Sequence, residues 1–265
     1  MRKILFSVLF VSLAFSCHKN AVTGKRSMTL VPESEMITMS TQEYAQFLAQ
    51  HPPLPQSDER AQLVRKVGTR IQKAVEKFHA DKKASHDLDG FKWEFNTVDE
   101  NTVNAWCMPG GKVVVYTGLL PVTQDEQSLS IVLGHEIAHA IARHGNQRMS
   151  QGLLVQFGGA ALSVALSQKP QFTRDLFLQA YGVGTQLGTL KYSRNEESEA
   201  DKMGVIFAAM AGYDPEVAIS FWGRMAAQSQ GQAPPELLST HPSDEKRIKD
   251  LKAFMPEAKK YYKPQ

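Results

Sequence analysis

The sequence predicts an α+β fold that is mainly helical, with a small β-sheet beside one buried helix. Three observations lead to this prediction. Apolar residues recur at helical spacing along most of the chain, two short segments are typical of strands, and the apolar run 129–142 contains the sequence HEIAH. The length of 265 residues and the 42% hydrophobic content suit one domain with a substantial core.

The elements in the first half of the chain can be justified in order. The helix predicted over 32–50 begins with a proline and two acidic residues, which is an ordinary helix-entry signal. A second helix, over 57–79, has Ser57 as its N-cap and places its apolar residues along one side. Residues 91–98 alternate as a strand does, and 112–116 form a second strand after a Pro-Gly-Gly turn.

The second half is predicted to be helical. The HEIAH helix should begin near Asp125 and end near His144, with Gly145 in the position just past its C-terminus. The Gly-, Ala- and Leu-rich segment 151–190 is expected to be helical and to lie in the core or over the active-site cleft, and its apolar stretch is short for a membrane span. Further helices are predicted over 215–227 and 243–254.

The HEIAH sequence carries the clearest chemical signal. His135 and His139 lie four positions apart, so they project from one face of a helix. Two imidazoles in this arrangement can hold one zinc ion, with Glu136 beside them to take a proton from a water that the metal activates. The alternative is a buried helix with two incidental histidines. His144 lies about half a turn away from this face and is rejected as a ligand.

A catalytic zinc needs a third protein ligand and keeps one position for water. The segment 193–204 begins an amphipathic helix and contains four acidic residues. Glu197 and Asp201 share one face, so Glu197 would bind the metal and Asp201 would accept the N–H of a ligating histidine. Glu196 and Glu199 point elsewhere and are expected to be solvated. On the residues alone these acids compete, and Glu197 ranks first.

Four motifs follow one another in an order that resembles a known family. HEIAHAIARH and SRNEESEADKMG are similar to paired HExxH and ExxAD motifs, residues 104–120 to an NAFxxPGGxVVVxxGLL segment, and residues 240–248 to an HPxxxxRI segment. These motifs resemble the HtpX and CAAX-prenyl-endopeptidase family of zinc metallopeptidases, metallopeptidase family forty-eight, over about 27–254. The resemblance implies a zincin-like (gluzincin) domain, Glu197 as the third ligand, one zinc ion per chain and cleavage of polypeptide substrates.

The resemblance also implies roles for residues outside the two metal-binding motifs. Asn104 and Ala105 are candidates for a strand edge with which an extended substrate pairs. A plain structural hairpin is the alternative. His241 falls near the zinc in this family, where it would either stabilise the oxyanion or occupy the open metal position and silence the enzyme. A structural hydrogen-bonding role is the ordinary alternative for this histidine.

The amino terminus predicts where the protein works. Residues 1–16 have a basic start and an apolar stretch of about a dozen residues, as in a signal peptide. Cys17 then resembles a bacterial lipoprotein cleavage site, although an ordinary secretory signal is the alternative. Residues 17–28 would be a lipidated tether, 29–256 the peptidase domain and 257–265 a tail. The expected location is the bacterial cell envelope, on the periplasmic side, as an outer-membrane lipoprotein.

Charge and cysteine content argue against other classes of protein. A net charge of +3 without a basic block gives no reason to expect nucleic acid as a partner. With Cys17 acylated, Cys107 would be a lone thiol that packs as a small hydrophobic residue. The expected partners are polypeptides and, through the lipid anchor, a membrane. Two rival functions are a chaperone-like assembly factor that binds exposed strands with a closed, inactive zinc site, and a deformylase, whose cysteine ligand the motif order disfavours.

Overall fold

The computed structural model describes residues 17–157, 170–181, 192–228, 236–241 and 245–264. Helices dominate these residues, and small sheets accompany them, which confirms the predicted α+β class. The helices are α1 (Glu33–Gln50), α2 (Glu59–Asp81), α3 (Leu120–Thr123), α4 (Glu126–Ile141), α5 (His144–Phe157), α6 (Pro170–Tyr181), α7 (Arg194–Met210), α8 (Val217–Gln228), α9 (Glu236–Thr240) and α10 (Glu245–Ala258).

The described strands form two sheets. A short antiparallel hairpin joins β1 (Cys17–Lys19) to β2 (Arg26–Met28). The second sheet has the order β3-β5-β4, with β3 (Glu94–Val98) parallel and β4 (Ala105–Met108) antiparallel to the central β5 (Lys112–Tyr116). Because β4 packs against α4, the sheet lies beside the HEIAH helix, as predicted.

The three-stranded sheet separates two parts of the core. Side chains alternate along β5, so Val113 and Val115 face one apolar cluster while Val114 and Tyr116 face the other. The first cluster includes residues of α2, α4, α7 and α8, and the second includes residues of α1, α5 and α6. The face of the sheet that carries Val113 and Val115 thus packs in the same apolar cluster as α4, the helix that contains HEIAH.

Helix α4 carries the histidine motif and α7 carries the acidic motif. The two helices cross with their backbones in contact. A Cβ atom built on Gly134 would lie 2.8 Å from the carbonyl oxygen of Gly204, and one built on Gly204 would lie 2.9 Å from the carbonyl carbon of Gly134. Such a separation leaves no room for a side chain on either residue. The crossing places His135, the next residue of α4, beside the first turns of α7.

Side-chain caps determine where these helices begin. The Asp125 carboxylate accepts a hydrogen bond from the Ser128 N–H at 2.7 Å, so α4 begins where the sequence predicted. At α7, Ser193 and Glu196 form a capping box in which each side chain accepts from the other residue's backbone N–H. The expectation that Glu196 is solvated is therefore wrong, because this cap holds it at 7% exposure. The cap of α2 is Asp58, not Ser57.

The end of α4 differs from the prediction. The helix stops at Ile141, and Arg143, with φ of 58°, takes the left-handed conformation that was expected for Gly145. The chain reverses there and starts α5 at His144. Gly145 is needed for another reason, since a Cβ on it would lie 2.0 Å from the ring of Tyr181. The reversal turns His144 back towards α4.

The segment predicted to be helical over 151–190 is described only at 151–157 and 170–181. Pro170 begins α6, and a proline suits the first position of a helix, which has no use for the N–H that proline lacks. The rest of the segment, and with it most of the expected core or cleft-covering stretch, lies outside the described residues. Among the helices that the structure describes, none combines the length and the apolarity required to cross a bilayer.

We expect Gly204→Ala to lower the free energy of unfolding by about 1–2 kcal/mol, because the clash with Gly134 outweighs the gain in helix propensity. Gly223→Ala on α8 is the matched control. A Cβ there meets nothing within 4 Å, so propensity alone acts, and stability should rise by up to about 1 kcal/mol. Urea unfolding of both variants measures the difference. Equal stabilisation by the two substitutions would contradict the close crossing.

Candidate metal centre

Four buried side chains converge on one point. His135 and His139 lie on α4, Glu197 lies on α7, and His241 directly follows α9. One ligand atom of each of the four residues lies within 4.8 Å of the others. His135 Nε2 is 3.0 Å from His139 Nε2 and 3.2 Å from His241 Nδ1, and Glu197 Oε1 is 3.3 Å from His139 Nε2. Tetrahedral zinc with bonds of about 2 Å separates its donor atoms by about 3.3 Å, so this set fits such an ion.

The charge states of Glu197 and His139 suit metal ligation, whereas the pKa of His135 is raised above its usual value, because burial lowers it but the nearby carboxylates, Glu197 foremost, outweigh burial. Burial opposes ionisation of Glu197, but His241, Arg247 and His135 hold the pKa of its carboxyl well below the usual range. Burial also lowers the pKa of His139 well below the usual value for histidine. The cluster therefore presents an anionic carboxylate and a neutral imidazole, which are the protonation states in which these groups bind metal.

Asp201 and Arg247 both lie at the Nδ1 atom of His135. Asp201 Oδ1 lies 3.0 Å from His135 Nδ1. The guanidinium of Arg247 grips the same carboxylate through Nε at 2.6 Å and through a second nitrogen at 2.7 Å, and it lies 3.1 Å from Glu197 Oε2. Arg247 itself lies 3.7 Å from the centroid of the Trp222 ring. The structure thus places Asp201 behind the histidine that it was expected to orient.

Glu136 has the environment of a group that exchanges protons. Its Oε1 atom is buried, accepts no hydrogen bond from any described residue and lies 3.5 Å from His241 Nε2. Burial raises the pKa of Glu136 to about 7. A carboxyl that titrates near neutrality can both take up and release a proton.

An aromatic ring closes one side of the cluster. Tyr192 lies against His139 with ring centroids 3.8 Å apart and the ring planes tilted by 35°, and it stacks on His241 at 4.9 Å. The guanidinium of Arg148 lies 3.4 Å from the Tyr192 ring centroid. Burial raises the pKa of Tyr192 to about 12, so its hydroxyl is neutral at physiological pH. The four candidate donors are thereby held in a buried setting.

Comparison with known proteins identifies the family. Residues 65–255 match the model of peptidase family M48. The chain belongs to peptidase family M48. This result confirms the predicted family number, the zincin-like fold and the metallopeptidase class. It does not extend to the HtpX and CAAX-prenyl branch, because the relatives described below carry other names.

Three curated relatives show the extent of the similarity. The chain is 36% identical to the mitochondrial metalloendopeptidase OMA1 of Schizosaccharomyces pombe over 64% of its length and 49% of the relative. It is 30% identical to human OMA1 over 96% of its length and 49% of the relative. The β-barrel assembly-enhancing protease of Escherichia coli is 28% identical over 60% of the chain and 34% of that protein. The chain therefore spans half or less of the length of these relatives.

The location predicted from the amino terminus, a bacterial outer-membrane lipoprotein, is wrong. OMA1 relatives matched over as much as 96% of this M48 chain are named as mitochondrial enzymes. The physical reason for the error is that a basic, apolar leader is a weak discriminator, since basic residues also begin mitochondrial targeting segments. Residues 1–16 lie outside the described part of the chain. Cys17 begins β1, and its lipidation stays a prediction.

Asn104 and Ala105 lie where β4 begins, at one edge of the three-stranded sheet. The Asn104 carbonyl accepts the Tyr116 N–H at 3.1 Å, and its side-chain oxygen accepts the Ala105 N–H at 2.9 Å. Since backbone groups alternate in direction along an antiparallel strand, Ala105 faces away from β5. Cys107, on the same strand, is a buried free thiol whose pKa burial raises, as expected of a packed residue.

Sequence reasoning missed several groups around the centre. The HPxxxxRI-like segment contains Arg247 as well as His241, but only His241 was predicted to lie near the metal. Tyr192 had no recognisable pattern. Glu199, expected to be solvated, is 6% exposed, and that expectation is wrong because a hydrogen-bonded network encloses its carboxylate. His144, which was rejected as a ligand, lies with its Nδ1 atom 2.9 Å from His139 Nδ1.

We expect Arg247→Gln to lower the free energy of unfolding of the metal-free protein by about 3 kcal/mol, because two buried carboxylates lose their cation. Lys246→Gln is the matched control on the same helix, where an exposed pair with Asp250 contributes less than about 1 kcal/mol. Urea titration in the presence of a chelator measures both. A loss for Arg247→Gln no larger than the control would show that Asp201 and Glu197 do not need the guanidinium.

Proposed function

We propose that this M48 chain is a zinc-dependent endopeptidase that cleaves extended or unfolded segments of polypeptides. The zinc would be held by His135, His139 and Glu197. The convergence of these three groups beside a buried, protonatable Glu136 is the observation that carries the proposal. The names of the OMA1 relatives, which are metalloendopeptidases, support the same reaction.

The residues of the chain have distinct tasks in this reaction. Bound zinc would supply a Lewis acid that polarises the scissile carbonyl and activates a water molecule. Glu136 takes the proton of that water and delivers it to the leaving amine, and its raised pKa suits both steps. Asp201 keeps the Nε2 atom of His135 directed at the metal by accepting its Nδ1–H.

Glu136→Gln is expected to bind one zinc per chain and to lose at least about a hundredfold in kcat, because the amide cannot take the proton. Glu126→Gln on the same helix is the control. Glu126 pairs with Lys66 and Arg70 outside the cluster, so its loss should leave turnover unchanged. Zinc content and cleavage of an unfolded protein are measured together. A fully active, zinc-loaded Glu136→Gln protein would remove Glu136 from the mechanism.

We further propose that His241 occupies the fourth position of the centre and holds the enzyme in a closed state. Its Nδ1 atom lies 2.9 Å from Glu197 Oε1 and 3.2 Å from His135 Nε2, within the cluster of donors. Two contacts hold it there. The His241 N–H donates to Leu237 O at 2.9 Å, and the Leu237 N–H donates to Val103 O at 3.1 Å. Substrate cleavage then requires α9 to move His241 away from the metal.

His241→Ala is expected to raise kcat several-fold while zinc content is retained, because the open position becomes available to water and substrate. A fall in turnover with zinc retained would instead assign His241 to stabilisation of the oxyanion. Unchanged turnover and zinc content would place His241 outside both roles. Continuous assays with a quenched fluorescent peptide distinguish the three results.

The closed set of four donors also favours one alternative. Structural zinc sites are four-coordinate and closed, so a chaperone-like assembly factor that binds exposed strands would present the same cluster. The two functions differ in the behaviour of His241→Ala. A zinc-loaded protein that cleaves no unfolded polypeptide, either as wild type or as His241→Ala, would support the chaperone-like factor against the peptidase.

We propose β4 as the edge on which the substrate strand docks, with Ala105 as the first pairing residue. Its backbone faces away from β5, and β4 packs on the helix that carries Glu136. The Ala105 N–H is held by the Asn104 side chain, so Asn104 would turn aside as substrate binds. A structure of the Glu136→Gln protein with a peptide paired elsewhere would rule this edge out.

A further inference from the structure

The second histidine of the cluster is supported by a chain of contacts that leads out of the metal centre. His139 Nδ1 lies 2.9 Å from His144 Nδ1. On the other side of the His144 ring, Nε2 lies 3.2 Å from Glu199 Oε2. His144 is fully buried, and Glu199 is 6% exposed. These three residues therefore form a continuous line from the candidate metal to a buried carboxylate.

Hydrogen-bond chemistry assigns a direction to this line. A metal bound by His139 Nε2 leaves the proton of the neutral ring on Nδ1. That N–H donates to His144 Nδ1, which must then be the unprotonated nitrogen of its ring. The proton of His144 consequently sits on Nε2 and donates to Glu199. Each ring nitrogen between His139 and Glu199 then acts either as a donor or as an acceptor. The carboxylate at the end of the line can only accept, which favours this set of tautomers.

Glu199 is held by the amino-terminal hairpin, residues 17–28. The hydroxyl of Thr23 donates to Oε1 at 2.6 Å, and the side-chain amide of Asn20 donates to the same oxygen at 3.1 Å. The ammonium group of Lys25 donates to Oε2 at 2.7 Å, the oxygen that also faces His144. Hydrogen bonds from the hairpin thus reach both oxygens of the carboxylate.

The two histidines of the centre therefore differ in what orients them. His135 is oriented by Asp201, which Arg247 grips from within the helical body. His139 is oriented through His144 by Glu199, whose other partners lie between β1 and β2, far away in sequence. Groups that orient a metal-binding histidine typically change metal affinity by 10- to 100-fold when removed. A substitution in the hairpin should consequently change the affinity of the centre for metal.

We propose that the amino-terminal hairpin sets the zinc affinity of the centre through Glu199 and His144, which act as positioning residues for His139. This inference rests on His139 being a ligand, as the proposed function has it. It makes residues 17–28 part of the metal centre. Detachment or displacement of the hairpin would weaken zinc binding and so lower the fraction of active enzyme.

The test measures the zinc dissociation constant of the full chain by competition with a chelator. Glu199→Gln and His144→Leu are each expected to weaken binding by about 10- to 100-fold. The hairpin double variant Thr23→Val with Lys25→Met should weaken it by a smaller factor, because Asn20 still donates to Glu199. Lys19→Met, at an exposed position of the same hairpin, is the matched control and should leave affinity unchanged.

Two readouts separate positioning from a merely structural contribution. Cobalt substituted for zinc should show a changed visible absorption spectrum in Glu199→Gln, since the spectrum follows ligand orientation. His144→Asn, which can still offer an acceptor to His139 Nδ1, should recover part of the affinity that His144→Leu loses. Thermal unfolding of the metal-free proteins checks that the compared variants are equally folded.

The outcomes distinguish this inference from the proposed function. Wild-type protein that binds no zinc, or His139→Ala that binds it as tightly as wild type, would overturn the metal centre itself. With those controls as expected, unchanged zinc affinity in Glu199→Gln and His144→Leu would overturn the positioning role. Unchanged affinity in the hairpin double variant alone, or an equal loss in Lys19→Met, would overturn the coupling to the hairpin.

Discussion

The candidate metal centre depends on the backbone contact between α4 and α7 at Gly134 and Gly204. Neither helix alone holds a complete set of donors, since the histidines lie on one and the carboxylate on the other. Helices that meet through ordinary side chains lie 8–10 Å apart. A crossing at two glycines brings the axes closer, which lets a short glutamate side chain reach both imidazoles while the surrounding core stays filled.

Burial of the cluster then imposes a second constraint, because charged groups without partners are costly in an apolar interior. The chain meets this constraint for three buried carboxylates around the cluster by pairing them with a cation or donor from another segment. Arg247 on α10 serves Asp201 and Glu197, and the amino-terminal hairpin serves Glu199. These ionic partners thus tie segments near the start and the end of the described chain to the same helix, α7. Zinc bound by the cluster would therefore be coupled to the docking of these distant segments.

A large part of the site can be predicted from the amino-acid sequence. The spacing of His135 and His139 predicts their common face, and the ExxAD-like segment identifies Glu197 and Asp201 among competing acids. Helix ends are harder to predict, since Asp58 replaces Ser57 as a cap and Arg143 takes the left-handed position expected for Gly145. Gly145 instead packs against Tyr181, where no side chain fits. Sequence patterns indicate which residue type most often occupies a cap or a left-handed position. Tertiary packing can make another residue occupy it.

The sequence by itself determined the mainly helical class, the histidine pair, the acidic partner and the family, because each is encoded in spacings of a few residues. Only the tertiary structure decided that Tyr192 covers the cluster, that Arg247 grips Asp201, and that Glu199 is buried under the amino-terminal hairpin. Those contacts join segments separated by tens to more than a hundred residues. Their formation depends on how the helices pack, and helical periodicity specifies which face is apolar but not which distant side chain will meet it.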